Sequence, residues 1–551
     1  MNTSPFSQIS SIYGKNHFEI DGPLQLIGRY FGRDFSGLSE LGLYAGTDLY
    51  EIAEHVDKRG RPQHVMWSID GERVDRVWLD PSERESLDAL VSRYHVNLFP
   101  YRDGDWFSHF ASEYLISDPG MACVLTVTNQ TAYAIFKYGS SEQKSELPGL
   151  TGGSLPLKWG ATWFTEIQGG SDLGSNTVSA ANVNGKWYLN GNTKYFSSDA
   201  GLADLALVSA RLEGSVPGAK GLSLFLVPEF SSDGKRNFSI RRLKDKSATA
   251  AVPTGEVEFQ NSEASFIGDP DKGIYYIMED LMVSRLSNSF GALGVARKSY
   301  LEAYFYTGKR SAFGRKLSDH PLVRRDLMEM EIYLEGTLAL SFLAVDAFQK
   351  SYMETPPYTP KYHFARLLTH IAKNLTADMA AFVSQMAMEL HGGIGFLREF
   401  PIERLHREAL ITPIWEGPSN IQALDMLESM QKKKSHIPLL KYLEEMKSEV
   451  AEGKDLFQEM TDKISLAIQQ SESLPLDQVQ FMAKDTLSTI GHSLAVAVLI
   501  HAGNKLDSER FLKIANLYAA RFVYHRGFSP QSIEDAEEII RMDQIEKVSA
   551  Q

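Results

Sequence analysis

Apolar residues recur at three- and four-residue spacing through 290–306, 322–352 and 362–390. That is the stripe an amphipathic helix turns toward a core. Long helices with short connections, broken at Pro356, Pro357 and Pro360, predict an antiparallel bundle over about 281–430. Between about 158 and 280 the period shortens to that of strands. Val178–Val183 runs into Asn184-Gly185, a pair suited to the left-handed turn of a two-residue hairpin. Lys186–Leu189 follows, and Asn190-Gly191 predicts a second turn. Leu205–Arg211, Gly221–Val227, Ile240–Leu243 and Glu256–Phe259 read as further short strands. A small antiparallel barrel or sandwich is expected there.

Either side of these sections the pattern is again helical. Residues 1–157 read as mixed and mainly helical, with a helix over Thr128–Tyr138 stopped by Gly139. After Lys432-Lys433-Lys434, helices are expected over Leu439–Gln470, Leu476–His501 and Ser508–His525. The fold class is therefore α+β, mainly α. Its four sections are 1–157, 158–280, 281–431 and 432–551, which suits a chain of 551 residues, too long for one core.

Composition narrows the chemistry. Cys123 is the only cysteine, which excludes an intrachain disulfide and a Cys-based zinc site. The 14 histidines form no H-E-x-x-H pair, and no Walker loop or G-x-S-x-G elbow occurs. No metal is expected. The apolar stretch Leu494–Ile500 is far shorter than the roughly 18 residues of a membrane span. Met1–Pro5 lacks the basic start and apolar run of a secretory signal, so a cytoplasmic location is expected. A formal net charge of -14 disfavours polyanions on average but leaves room for a phosphorylated ligand held by a few local donors.

Four segments could carry chemistry. In Thr165-Glu166-Ile167-Gln168-Gly169-Gly170-Ser171-Asp172, two glycines allow close backbone approach and two hydroxyls add donors. The plain alternative is a polar turn entering a β-domain. In Ile414-Trp415-Glu416-Gly417-Pro418, a carboxylate between an apolar pair and a glycine could serve as a general base. It could equally be a favourable charge at a helix N-terminus. Arg310-Ser311-Ala312-Phe313-Gly314 places a guanidinium where it could grip a pyrophosphate, or simply a solvated arginine at a helix end. His391-Gly392-Gly393-Ile394-Gly395 reads as a glycine C-cap. It is not a dinucleotide fingerprint, because no strand precedes it.

Order and spacing add what each segment lacks. Tyr138-Gly139-Ser140-Ser141-Glu142-Gln143-Lys144, then Thr165-Glu166 to Ser171-Asp172, Arg310 with Phe313-Gly314, Gly392-Gly393 with Gly395-Phe396, and Glu416-Gly417 with Ile421-Gln422 resemble the acyl-CoA dehydrogenase family in sequence order, over about 90–430. Ile414–Ile421, Arg242-Leu243-Lys244-Asp245-Lys246 and the extension beyond 430 are similar to its AidB-like branch, in which the extension is associated with DNA binding. The resemblance implies FAD held between the β-domain and the bundle. It places Phe164, Thr165, Gly170, Ser171, Phe196, Ser197 and Ser198 along the flavin. It also assigns Gly392, Gly393, Ile414, Gly417 and Asn420 to the cofactor, and Ser171 and Arg285 to the substrate. Arg310 and Phe313 match residues that reach the FAD of a neighbouring subunit, so a homo-oligomer, expected as a tetramer, is implied. Glu416 matches the base that removes the proton α to a thioester carbonyl. The β hydride passes to the flavin and gives a 2-enoyl-CoA, with an electron-transfer flavoprotein as one candidate partner.

The chain departs from the family at Pro418, where a threonine is usual, and at Glu389 and Pro321, where glutamines are usual. It departs again at Met282, three residues before Arg285, where an acid is usual. The last change bears on standard contacts to CoA substrates. Three functions compete: an acyl-CoA dehydrogenase, an AidB-like flavoprotein that binds acyl-CoA or DNA with weak catalysis, and an acyl-CoA oxidase. DNA is disfavoured, because 432–551 holds 15 Lys and Arg against 18 Asp and Glu. Only Lys432–Lys434 is densely basic, although Arg510, Lys513, Arg521 and Arg526 could gather on one helical face.

Overall fold

The computed structural model describes residues 9–118 and 120–541. The described chain divides into two compact units. A β-rich unit comprises Glu51–Asp105 and Asp118–Ser287, and a helical unit takes the rest.

In the β-rich unit, strands β1 (Gln63–Trp67) and β2 (Arg73–Trp78) form a hairpin inside a section expected to be mainly helical. Helices α1 (Pro81–Ser92) and α2 (Met121–Tyr138) follow. α2 begins a full two turns before the stretch expected from the sequence, and Gly139 ends it with its amide on the Ile135 carbonyl.

Strands β3 (Gly160–Trp163), β4 (Ser179–Val183), β5 (Lys186–Ser197), β6 (Leu205–Leu212), β7 (Leu222–Pro228), β8 (Ser239–Leu243) and β9 (Gly255–Phe266) make one seven-stranded sheet. β6 pairs with β7, and β7 with β9, so the sheet closes on itself through β4 and β5. Most pairings are antiparallel as expected, but β3 and β4 both run parallel to β6.

Both faces of β6 and β7 are buried. Ala206, Val208, Phe225 and Val227 point into the barrel with Trp163, Leu189 and Ile240. Leu205, Leu207, Leu222, Leu224 and Leu226 point the other way, packed with Ala132 and Ile135 of α2. That two-sided burial is why these strands read as unbroken apolar runs. Each such leucine contributes roughly 1.5–3 kcal/mol.

Asn184 and Gly185 have φ of 54° and 86° and form the expected hairpin turn. Asn190-Gly191 does not turn. It lies inside β5, where the register with β9 slips on both sides of it. Asn190 accepts the Asn261 amide, and a Cβ at Gly191 would meet Val178 at 2.9 Å. The glycine therefore serves a bulge and a close approach.

The first part of helix α3 (Gly273–Lys309) belongs to the β-rich unit and the rest to the helical unit. A two-strand hairpin, β10 (Ser311–Ala312) with β11 (Arg315–Lys316), follows. Then come α4 (Pro321–Gln349), α5 (Pro360–His391), α6 (Pro401–Ala409) and α7 (Ser419–Lys433), close to the bundle expected.

The extension is more broken than its periodicity predicts. Leu439–Gln470 splits into helices His436–Lys447 and Lys454–Ser473. Asn504 Oδ1 accepts the Ala451 and Glu452 amides in the gap, and Gly453 turns the chain at φ 73°. Leu476–His501 splits at Met482, before α8 (Ala483–Leu506). Ser508–His525 becomes α9 (Glu509–Tyr518) and a π turn. Among the described residues α8 alone is long and apolar enough to cross a membrane, yet 78% of its most apolar window is buried within the protein.

Candidate functional site

The residues matched to the flavin in the β-rich unit converge where β3 and β5 end. Ser198 Oγ lies 3.3 Å from the Thr162 amide and 3.2 Å from the Thr162 carbonyl, accepting from one and donating to the other. Trp163 Nε1 donates to the Ser198 carbonyl at 2.7 Å. The Tyr195 amide donates to the Thr165 carbonyl at 3.2 Å. A Cβ at Gly170 would sit 3.2 Å from the Thr165 methyl. Segments 162–165, 170–171 and 195–198 are thus brought together.

Their side chains differ in exposure. Phe164 packs into the core, and its carbonyl accepts from Asn176 Nδ2 and Lys194 Nζ, so its backbone carries the local geometry. Phe196 is half exposed, with the Lys244 ammonium 5.1 Å from its ring centre. Ser197 is buried, and its hydroxyl has no hydrogen-bond partner among the described residues. Arg285 is buried on α3, while Ser171 is exposed.

Glu166 organises the loop after β3. Its carboxylate accepts from the Thr177 amide at 2.7 Å, Thr193 Oγ1 at 2.7 Å and Gln168 Nε2 at 2.7 Å, and lies 3.1 Å from Lys194 Nζ. Burial pushes its pKa up. The Lys194 charge and these hydrogen bonds overcome that and hold it at about 2. Burial in turn lowers Lys194 to about 8, against the pull of Glu166.

In the helical unit the matched residues form two groups. The first surrounds Glu416, which is half-buried in the turn between α6 and α7. Glu416 has φ 57° and Gly417 φ 92°. A left-handed glutamate costs on the order of 1–3 kcal/mol and persists only where its surroundings impose it. Here Lys373 Nζ donates to the Gly417 carbonyl at 2.8 Å, and Gln422 Nε2 reaches the Glu416 and Gly417 carbonyls at 2.9 and 2.8 Å. Because Nε2 faces two acceptors, Gln422 Oε1 is the atom that faces His370 Nδ1, at 2.9 Å. His370 then donates from Nδ1, which sets its tautomer. On the flank, Trp415 Nε1 donates to Asn288 Oδ1, and Asn288 Nδ2 donates to the Thr412 carbonyl. Ile414 and Asn420 are exposed beside this turn.

No sequence signal singles out Lys373, His370 or Asn288. His370 and Lys373 sit three apart, on one face of α5. Gln422 lies in the matched Ile421-Gln422 pair. The periodicity of α5 alone says nothing about which loop that face meets.

The second group lies at the far end of α5. Tyr306, in the last turn of α3, stacks on His391 at 4.5 Å. This joins the Arg310 hairpin to the Gly392–Phe396 turn. The hairpin tip, Phe313-Gly314, has φ of 52° and 82°, and Phe313 is 96% exposed. His320 accepts from Arg315 Nε and faces the Ala312 carbonyl at 3.1 Å, which braces the hairpin. Gly392 has φ 63°, and both Gly392 and Gly393 would turn a Cβ into open space. Arg310 is exposed. Gly392 stands roughly 28 Å along the helix from Lys373, at 1.5 Å per residue. The two groups therefore cannot both contact one small reacting centre in a single chain.

Barrel followed by bundle is the acyl-CoA dehydrogenase fold. Residues 161–262 match the acyl-CoA dehydrogenase middle domain, and 271–431 match the acyl-CoA dehydrogenase C-terminal domain. The family member AidB of Escherichia coli (strain K12) is 30% identical over 74% of this chain and 76% of its own length. The Caenorhabditis elegans ACDH-11 structure, in complex with C11-CoA, is 24% identical, with a TM-score of 0.83 over 94% of this chain and 93% of that one. A Bacillus anthracis acyl-CoA dehydrogenase complexed with FAD is 16% identical, with a TM-score of 0.69 over 100% of this chain and 98% of that one. The chain belongs to the acyl-CoA dehydrogenase family.

Proposed function

We propose that the protein is an FAD-dependent acyl-CoA dehydrogenase in which Glu416 removes the α proton of an acyl thioester. The observation that carries this is the left-handed Glu416, held by donors from buried Lys373 and Gln422. A surface carboxylate at a helix start needs no such restraint. A fixed carboxylate is what proton abstraction from a weakly acidic carbon requires, since the base must lie within hydrogen-bond reach of that proton.

The residues present fit FAD. The Ser197 hydroxyl, the half-exposed Phe196 ring, and the Thr165, Gly170 and Ser171 backbone would line the flavin. Arg310, Phe313, Gly392 and Gly393 would receive the distal part of a neighbouring copy's cofactor, with the two glycines leaving room for a phosphate. Their distance from Glu416 along α5 supports that sharing, and with it a homo-oligomer read as a tetramer. FAD supplies the acceptor for the β hydride, and the product is a 2-enoyl-CoA. Arg285 and Ser171 are read as substrate contacts. A cytoplasmic location, and an electron-transfer flavoprotein as electron acceptor, belong to the same reading.

The DNA-binding alternative is disfavoured by what the extension does with its cations. Arg510 pairs with the buried Glu335, Lys513 with Glu538, and Arg521 with Glu329. Cations already paired with carboxylates are less available to phosphates.

Anaerobic titration of the purified, FAD-loaded protein with acyl-CoAs of increasing chain length tests the proposal. Bleaching of the flavin absorbance by at least one saturated acyl-CoA is expected. An unbleached flavin across the series would reject catalysis and leave acyl-CoA binding.

A further inference from the structure

We infer that Lys373 and Gln422 are positioning residues for the base: together they fix the backbone of Glu416-Gly417, so that loss of either one lets the carboxylate leave its reactive geometry without unfolding the bundle. The inference rests on the reading of Glu416 as the base, and it names what sets that group's geometry.

Two successive left-handed residues turn their carbonyls away from any helical ladder. Helix α7 begins at Ser419 and offers free amides at this end rather than carbonyls. The Ile421 and Gln422 amides both go to the Pro418 carbonyl. The Glu416 and Gly417 carbonyls must therefore be met by side chains. Lys373 meets Gly417, and Gln422 meets both.

The donors are themselves immobile. Lys373 is 1% exposed, Gln422 and His370 are 0% exposed, and His370 holds the far end of the Gln422 amide at 2.9 Å. Both Lys373 and His370 are carried by α5, which packs on α4 and α7 within the helical unit. The clamp is thus anchored in the bundle core and ends on the two peptide units beside the reacting carboxylate. An ammonium hydrogen bond to a carbonyl is among the stronger kinds. A glutamate in its commoner right-handed conformation would point its side chain elsewhere.

The test compares wild type with Lys373→Met, which keeps the length of the side chain and removes the donor. It reads amide hydrogen exchange across 411–422, FAD content, acyl-CoA affinity and the anaerobic flavin reduction rate. Expected are faster exchange confined to 411–422, unchanged FAD content and acyl-CoA affinity, and reduction slowed by about 100-fold, the order of loss from misplacing a reacting group by about 1 Å. Glu416→Gln, run alongside, should abolish reduction with unaltered exchange. Should Lys373→Met not fold, Gln422→Glu, which keeps the oxygen toward His370 and loses the amide donor, is read in the same way. Exchange at the wild-type rate, or reduction at the wild-type rate, overturns the inference. If no acyl-CoA reduces the wild-type flavin, the base assignment falls, and the exchange data alone decide whether the clamp fixes the loop.

Discussion

The ammonium of Lys194 lies 3.1 Å from the carboxylate of Glu166, and neither side chain is exposed to solvent. Glu166 belongs to the matched segment Thr165–Asp172, and its own carboxylate faces inward and pins that loop to β5. Lys194→Met should leave a buried carboxylate without its counter-charge and cost about 3–5 kcal/mol. Glu166 is held at about 2, so its contribution is present above its unfolded pKa of about 4.3 and is lost as pH falls from there toward 2. Urea denaturation of wild type and Glu166→Gln should show a stability gap that closes over that window. A gap constant with pH would contradict the assignment.

Glu83 presents the opposite sign. It is fully buried on α1, and neither of its carboxyl oxygens has a partner among the described residues. Burial, then Asp80 and Asp199, push it up to about 9. A raised folded pKa contributes stability below the unfolded pKa of about 4.3 that is lost as pH rises through 9. Glu83→Gln should therefore gain on wild type steadily between pH 4.3 and 9, as thermal melts would show. A variant equally destabilised at pH 5 and pH 8 would refute the proton on Glu83.

Glu416→Gln should bind FAD and acyl-CoA as wild type does and show no flavin reduction. The amide fills the same volume but cannot accept the proton. Stopped-flow reduction at the wild-type rate would place the base elsewhere.

Arg310→Ala should weaken FAD retention by about 1.5–3 kcal/mol, the usual size of a hydrogen bond to a charged group. Phe313→Ala, at the 96% exposed hairpin tip, should lower retention only where copies associate. Dilution series followed by flavin fluorescence and light scattering test both. Equal retention by all three proteins would return Arg310 to a solvated helix end.

Arg510 reaches Glu335 and Glu331 of α4 from α9, and all three side chains are buried. Burial raises the Glu335 carboxyl, and the second carboxylate adds to the rise while Arg510 opposes it. Arg510→Met should destabilise the helical unit by about 3–5 kcal/mol and leave duplex DNA affinity unchanged at physiological salt. Submicromolar DNA binding by wild type that Arg510→Met abolishes would reinstate the extension as a nucleic-acid surface.

The elements legible in advance were those specified by local pattern. The helices over 290–306, 322–352 and 362–390, the strands around 205–211 and 221–227, and the Asn184-Gly185 turn follow from periodicity and turn chemistry. Family motifs single out Glu416 and the segments 164–171 and 196–198 by order and spacing. Asn190-Gly191 is ambiguous from sequence because the same dipeptide suits a turn and a bulge, and its neighbour Val178 decides between them. The extension's helices are shorter than their periodicity predicts because Asn504, far along the chain, takes the Ala451 and Glu452 amides in the gap between two of them.

What the sequence by itself determined is the class of chain: the run of helices, barrel and bundle, and the residue types at the candidate site. Only the tertiary structure decided that the barrel closes with β3 and β4 parallel to β6, that Glu166 faces Lys194, and that α5 presents Lys373 to the Gly417 carbonyl. The reason is physical. Periodicity reports which face of an element is buried, because burial repeats along the chain. A hydrogen bond between residues far apart in sequence depends on one relative placement of two elements, and no single element carries that placement.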